Sequence, residues 1–144
     1  MTNRPDISLL FDLFVTAQRM RRVLSEGLLA SGMRPDEYAV YSLLLEGGPM
    51  TASDMSKHLG LPLSTVLDYL RTMTAAGHIT KAAHPSDGRA LVVSLSRSGV
   101  AMHRRAHAHW EVVRKRVEGN LEMPIAQARL ALRAIDDAAS RALG

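Results

Sequence analysis

Residues 51–71 read TASDMSKHLGLPLSTVLDYLR, and this stretch decides the fold. Thr51 followed by Asp54 is typical of a helix N-terminus, and Gly60 predicts where that first helix ends. A second helix is expected to begin near Pro62 and to continue to about residue 76. Two helices joined by a short turn that contains glycine are the geometry of a helix-turn-helix, whose second helix enters a DNA groove.

Helical periodicity gives these two helices a buried face and an exposed face. The residues expected to pack the helices together are Met55, Leu59, Leu61, Val66 and Leu70. The residues left outward on the second helix, where a major groove would meet them, are Ser64, Leu67, Asp68 and Arg71. The helix-turn-helix therefore presents a mixed polar and apolar surface to its partner.

A β-hairpin is predicted directly after the second helix. Residues 91–95 alternate with a period of two, which is typical of a half-buried strand. The preceding turn contains Pro85 and the pair Asp87-Gly88, which favour a tight reversal of the chain. A hairpin with a basic residue in its turn forms a wing, and Arg89 supplies that residue.

The rest of the chain is predicted to be helical, so the expected class is mainly α with one small hairpin. Apolar periodicity indicates helices over residues 6–29, from Pro35 to about Glu46, from Ser98 onward and from Pro124 onward. The first of these is apolar nearly all round, which indicates burial on more than one side. A partner subunit is the inference that follows.

The composition excludes several classes of protein. The chain has 144 residues, of which 47% are hydrophobic, and it has no cysteine. These values predict one folded domain and exclude disulfides, thiolate catalysis and cysteine-bound metals. No run approaches the roughly 18 apolar residues of a membrane span, and no secretory signal is evident. A soluble, cytoplasmic protein without a cofactor is expected.

The net charge of +4 is confined to the middle of the chain. Residues 51–105 contain seven lysines and arginines against three acidic residues, and the remainder is neutral. A local basic excess is typical of a module that binds a polyanion, although a solvated surface gives the same pattern.

Three stretches resemble the MarR family of winged helix-turn-helix transcriptional regulators. They are Leu61-Pro-Leu-Ser-Thr-Val66, Gly77-His-Ile79 and the run from Pro85 to Gly99, with Asp-x-Arg before a strand and Leu-Ser-x-x-Gly after it. The resemblance implies one domain over residues 1–144. Residues 6–34 and 98–144 would form dimerisation helices, and residues 35–97 would form the DNA-binding lobe.

The resemblance also implies a homodimer that binds a pseudo-palindromic operator in double-stranded DNA and functions as a ligand-responsive repressor. Arg89 would enter the minor groove, with Asp87 orienting it. Arg71 is the candidate for base contacts by the second helix. The residues expected to contact phosphates are Lys57, Ser64, Thr65 and Lys81. The alternative is a winged helix that associates with protein and binds DNA weakly or not at all.

Two positions depart from the family pattern. Leu67 stands where a serine or threonine is usual, and Asp68 stands where arginine or another polar residue is common. A leucine can contact a thymine methyl group, and an aspartate can accept a hydrogen bond from cytosine. Asp68 can equally pair with Arg71 three residues later and contact no base. Lys81 is also a single basic residue where the family commonly has two or more.

Many members of the family bind small, often aromatic, anions in a crevice beside the DNA-binding lobe. The residues that could form the walls of such a crevice are Phe14, Tyr38, Tyr41 and Trp110, although each could instead pack in the core. His103, His107 and His109 have a spacing that could hold a metal ion, but no carboxylate completes the set. Exposed histidines are the expectation, with no metal.

An enzyme is not expected. The sequence contains no nucleophile elbow, no His-Glu-x-x-His motif and no phosphate-binding loop, so no catalytic residue is assigned.

Overall fold

The computed structural model describes residues 4–144, which form six α-helices and one small sheet. The elements are α1 (Leu9–Leu28), a 3-10 turn (Leu29–Ser31), α2 (Pro35–Gly47), β1 (Met50–Thr51), α3 (Ala52–Leu59), α4 (Leu63–Ala75), β2 (Ile79–Ala83), β3 (Leu91–Leu95), α5 (Arg97–Gly119) and α6 (Ile125–Leu143). The mainly helical class is confirmed. The chain divides into two compact units, one ending at Trp110 and one running from Glu111 to Gly144.

The helix boundaries follow the local sequence signals. The Thr51 side chain accepts the backbone N–H of Asp54 at 3.2 Å, so Thr51 is the N-cap of α3. Gly60 and Gly77 follow α3 and α4 with φ of 64° and 74°. Only glycine adopts this left-handed conformation without strain, which explains why both helices stop where they do.

The sheet has one strand more than the predicted hairpin. β2 and β3 pair antiparallel from Ile79↔Leu95 to Ala83↔Leu91, as expected. β1 adds to the other edge of β3 through the pair Met50↔Val93, giving the order β1-β3-β2. A two-residue strand is too short to show a period of two, so β1 has no recognisable sequence pattern.

The hydrophobic core lies in the unit that ends at Trp110 and joins α2, α3, α4 and the sheet. Its buried members are Leu28, Met33, Tyr38, Val40, Tyr41, Leu44, Met55, Val66, Leu70, Met73, Ile79, Val93 and Ala106. Met55 and Val66, one from each helix of the helix-turn-helix, are both 0% exposed. Burial of these side chains stabilises the lobe by roughly 1.5–3 kcal/mol for each large apolar group.

A stack of aromatic rings joins α2 to the first half of α5. The ring of Tyr38 lies 4.9 Å from that of His103 and 4.4 Å from that of Trp110. The Tyr38 hydroxyl shares a hydrogen bond with Nδ1 of His107 at 2.8 Å. His103 is only 6% exposed, and its Nε2 contacts the Ser42 hydroxyl at 2.9 Å. The expectation of exposed histidines is therefore wrong for His103, because α2 packs against this face of α5.

The unit from Glu111 to Gly144 contains the end of α5 and the whole of α6. Arg114 pairs with both Glu111 and Glu118 at 2.6 Å, along one face of α5. Leu130 and Leu132 of α6 are 65% and 60% exposed in the single chain. The apolar face of this amphipathic helix is therefore exposed to solvent in the single chain.

Stability should fall as the solution is acidified, and His103 should carry part of this loss. Burial first, and the neighbouring His107 second, hold the pKa of His103 below its ordinary value, against a small opposite effect of Glu46. The unfolded chain then binds more protons than the folded chain as the pH drops below about 6.5, so folding weakens there. In thermal unfolding between pH 7.5 and 5, the variant His103→Gln should show a smaller loss of Tm than the wild type. His58→Gln, at an exposed position on α3, is the control and should keep the wild-type dependence. Equal slopes for all three proteins would contradict the assignment.

Candidate nucleic-acid interface

The turn of the helix-turn-helix is fixed by a side chain as well as by glycine. The Ser56 hydroxyl donates to the carbonyl oxygen of Leu61 at 2.6 Å, across the turn that Gly60 makes possible. The backbone N–H of Val66 then donates to the Pro62 carbonyl at 3.1 Å and opens α4. Ser56 is thus small enough for the two helices to cross closely, and its hydroxyl also holds the turn in place by a hydrogen bond.

The exposed and buried faces of α4 are those that the sequence predicts. Val66, Leu70 and Met73 are buried. Ser64, Leu67, Asp68 and Arg71 are exposed, as expected. Leu67 keeps 45% of its surface in contact with solvent, and Leu63 on the same helix keeps 42%.

Asp68 and Arg71 form an ion pair on the exposed face of α4. Nη1 of Arg71 lies 2.9 Å from Oδ1 of Asp68, and the two side chains are 70% exposed or more. A pair this exposed contributes little to stability. It does, however, hold the guanidinium beside the preceding turn of the helix, in agreement with the pairing interpretation of Asp68.

The tip of the wing is built by two side chains that accept backbone hydrogen bonds. Nδ1 of His84 accepts the N–H groups of Ser86 and Asp87, each at 3.1 Å. Oδ1 of Asp87 accepts the backbone N–H of Arg89 at 3.1 Å. Asp87 therefore positions Arg89 through its main chain. His84 was not singled out by the sequence, because a histidine before a Pro-Ser-Asp turn carries no recognised signal.

A cleft of about 650 Å³ lies between α4 and the wing. The side chains that line it include Leu67, Arg71, Lys81, Arg89 and Leu91. The lining contains three cations and no carboxylate, so the charged side chains that face the cavity are all positive. The structure thus brings together four of the predicted DNA-binding residues around one cavity. Asp68 and Asp87 lie beside it.

Three further predicted contact residues lie outside this cleft. Lys57 is exposed on α3, Ser64 is exposed on the first turn of α4, and Thr65 beside it is half-buried. Their positions on the two helices of the motif allow contact with the sugar–phosphate backbone on either side of a groove. Their roles remain predictions.

The wing is tied back to the end of α4 at a single carbonyl group. The hydroxyls of Ser96 and Ser98 both donate to the carbonyl oxygen of Gly77, at 2.6 and 2.8 Å. The backbone N–H of Ser96 donates to the next carbonyl, that of His78, at 2.9 Å. A Cβ atom on Gly99 would overlap this His78 carbonyl. The Leu-Ser-x-x-Gly pattern after β3 is explained by this junction.

The four aromatic residues suggested as walls of an effector crevice do not share one cavity. Tyr38 and Trp110 line a cavity of about 400 Å³ together with His103. Tyr41 lines a separate cavity of about 200 Å³ and contacts Nδ1 of His78 through its hydroxyl at 2.6 Å. Phe14 is 64% exposed on α1.

Within residues 4–144, no group of three or more histidine, aspartate or glutamate side chains is arranged to hold a metal ion. No helix there is both long enough and apolar enough to span a membrane.

Sequence comparisons match the helix-turn-helix region to transcriptional regulators. Residues 28–87 match the model of the sugar-specific transcriptional regulator TrmB. An uncharacterized HTH-type transcriptional regulator from Bacillus subtilis, YcgE, is 31% identical over 64 residues, which cover 44% of this chain and 42% of YcgE. The match thus spans less than half of the length of that curated relative.

Structural comparisons extend the similarity to nearly the whole chain. A probable transcriptional regulator from Pseudomonas aeruginosa is 26% identical with a TM-score of 0.71, covering 92% of this chain and 96% of its own. A mutant MarR from E. coli, solved with operator DNA, has a TM-score of 0.76 at 19% identity, covering 88% and 92% of the two chains. The chain has the MarR fold. The fold that the resemblance at residues 61–66, 77–79 and 85–99 implies is confirmed. The matched proteins are regulators and not enzymes, in agreement with the expectation for this MarR-like chain.

Replacing Gly99 should test the junction between wing and α5. In Gly99→Ala the new methyl group meets the backbone carbonyl of His78, which no side-chain rotation relieves. We expect a loss of about 1–3 kcal/mol in the free energy of unfolding, measured by urea denaturation. Gly119→Ala is the matched control, because nothing lies within 4 Å of its added carbon. A loss at Gly99 no larger than that at Gly119 would contradict the crowding.

Proposed function

We propose that this chain is a homodimeric transcriptional regulator that binds double-stranded DNA in the cytoplasm. The observation that carries the proposal is the cleft between α4 and the wing, which is lined by Arg71, Lys81 and Arg89 and by no acidic residue. A groove of this kind, formed by a helix and a hairpin, fits the curved polyanionic surface of a duplex. The TrmB match and the MarR fold support the same function.

The arrangement suggests a division of roles between helix and wing. α4 would enter the major groove with Leu67, Asp68 and Arg71 toward the bases. Arg89, at the tip of a narrow hairpin, would enter the adjacent minor groove, where its charge is favoured. The residues that would contact phosphates are Lys57, Ser64, Thr65 and Lys81.

The exposed apolar surface of α1 supports a dimer. Leu9, Leu10 and Phe14 are 62%, 75% and 64% exposed, and Leu28 is the one buried residue among the described residues 9–28 of this helix. We propose that residues 6–34 and 98–144 pair two copies and that residues 35–97 form each DNA-binding lobe. Two lobes related by a two-fold axis would bind half-sites about 34 Å apart in a pseudo-palindromic operator.

We propose that a small effector regulates DNA binding. The cavity beside Tyr38 and Trp110, about 400 Å³ in volume, is of a size that admits a small aromatic molecule. Binding there would touch α2, which belongs to the DNA-binding lobe, and α5, which packs against α2. Repression relieved by such a ligand is the mode of action that we propose.

Removing the wing charge should weaken DNA binding. Arg89→Ala is expected to cost about 1–3 kcal/mol with a duplex recovered by selection from a random library, measured by fluorescence anisotropy. Arg22→Ala on α1 removes an equal charge that is 82% exposed and paired with Glu26, and it should leave the affinity unchanged. An unchanged Kd for Arg89→Ala would remove the wing from the mechanism.

The salt dependence of the same titrations tests the function itself. Each phosphate contact contributes about 0.9 to the slope of log affinity against log salt concentration. Wild-type protein should show a slope of several units, and Lys81→Ala should lower it by about one. A slope near zero would favour a module that associates with protein.

An acidic residue on α1 should separate the subunits. Phe14→Asp places a charge on the exposed apolar surface and should shift the protein from dimer to monomer in sedimentation velocity, because an unpaired charge is costly in an apolar interface. Thr16→Asp, an exposed polar position on the same helix, is the control and should leave the dimer intact. A dimer of undiminished stability in Phe14→Asp would place the interface elsewhere.

A further inference from the structure

Leu67 is an apolar side chain on the polar, outward face of α4. It is 45% exposed and lines the same cleft as Arg71. The two residues are four positions apart on one helix and therefore point in the same direction, one turn from each other. A leucine gains nothing from a phosphate, so its presence at the centre of a cationic cleft calls for an apolar contact.

Arg71 is held in place beside Leu67. Its Nη1 donates to Oδ1 of Asp68 at 2.9 Å, and Asp68 lies in the preceding turn of the helix. A guanidinium has five N–H donors in a planar fork. The pair with Asp68 engages the donors on Nη1, and the rest of the fork can face a partner. The ion pair thus restricts Arg71 before any DNA is bound.

The major groove offers one partner for each of these two side chains. Guanine presents O6 and N7, which take a bidentate arginine, and thymine presents its C5-methyl group. One turn of an α-helix rises about 5.4 Å, and neighbouring base pairs are about 3.4 Å apart. The separation of about 5.4 Å lies between one and two base-pair steps, so two flexible side chains one turn apart on a helix in the groove can reach neighbouring base pairs.

We propose that α4 contacts a thymine next to a guanine in each half-site. Leu67 packs against the thymine C5-methyl group, and Arg71 donates to O6 and N7 of the guanine. Asp68 is a positioning residue that holds Arg71 in the orientation for that contact and binds no base itself. This inference rests on the proposed DNA-binding function and specifies the sequence chemistry that the site recognises.

Removal of single methyl groups from the DNA tests the Leu67 contact. After selection of a bound duplex from a random library, each thymine is replaced in turn by deoxyuridine, which differs only in the C5-methyl group. At one position per half-site the wild-type Kd should rise about four-fold, the effect of losing one buried methyl group. In Leu67→Ala the same replacement should have no effect, because the partner of the methyl group is gone. Leu45→Ala, an exposed leucine on α2 outside the cleft, should keep the wild-type four-fold ratio.

Modified guanine tests Arg71 and the role of Asp68. Replacing the neighbouring guanine by 7-deazaguanine removes one of the two acceptors and should weaken wild-type binding by about five-fold or more. The ratio of the Kd with 7-deazaguanine to the Kd with guanine should be smaller in Asp68→Asn, because Arg71 loses the ion pair that orients it. The same variant should bind unrelated duplexes more tightly, because a negative charge near the phosphates is removed. A residue with only a structural role would not lower the discrimination between guanine and 7-deazaguanine while raising the affinity for unrelated duplexes.

The outcomes separate this inference from the proposed function. If the wild-type protein selects no duplex at all, the proposed function fails. If it selects an operator but tolerates deoxyuridine at every thymine, or if Leu67→Ala keeps the sensitivity, the assignment of Leu67 is overturned and DNA binding stands. If Asp68→Asn leaves the guanine ratio unchanged, the positioning role of Asp68 is overturned.

Discussion

The carbonyl group of Gly77 is the point on which the geometry of the candidate interface depends. Gly77 lies in the short connection between the end of α4 and the start of β2. Its carbonyl oxygen accepts hydrogen bonds from the hydroxyls of Ser96 and Ser98, which follow β3 at the base of the hairpin. The two strands of the wing are therefore closed at their base as well as paired along their length. Because α4 enters this junction directly, the angle between helix and wing is fixed. The cleft that contains Arg71 and Arg89 lies between these two elements, so the glycine and serines at the junction help to set its shape.

The same junction connects the interface to the core. His78, the residue after Gly77, contacts the hydroxyl of Tyr41 on α2 at 2.6 Å. Tyr69 on α4 donates to Asp36 at 3.3 Å, and Asp36 lies 3.6 Å from Arg21 of α1. Burial and the Asp36 carboxylate raise the pKa of Tyr69, so its hydroxyl keeps the proton that it donates. Helix α4 is thus linked by polar contacts to α2, and through Asp36 to α1.

The parts of the fold that the sequence predicts are those set by local signals. The N-cap at Thr51, the glycine at position 60 and the buried stripe on α4 depend on neighbours a few residues away, and each was expected. The parts that it does not predict depend on distant segments. β1 is defined only by its pairing with Val93, and the burial of His103 only by the packing of Tyr38 and Ser42 of α2. Periodicity describes one helix at a time, so it cannot assign the partner that covers a face.

The candidate site shows the same division. The exposed face of α4 and the basic wing follow from spacing within each element. Their convergence on one cleft requires the turn at His84 and the junction at Gly77, and neither is visible as a pattern in the sequence.

The same convergence places like charges close together in the free protein. Arg71, Lys81 and Arg89 repel one another around a shared cavity, and the one carboxylate beside Arg71 lies on the outer face of the helix. A polyanion that enters the cleft brings negative charge to all three cations at once, whereas a neutral protein surface would exclude water from them without supplying a counter-charge of its own. The charge arrangement itself therefore favours a nucleic acid over a neutral protein partner.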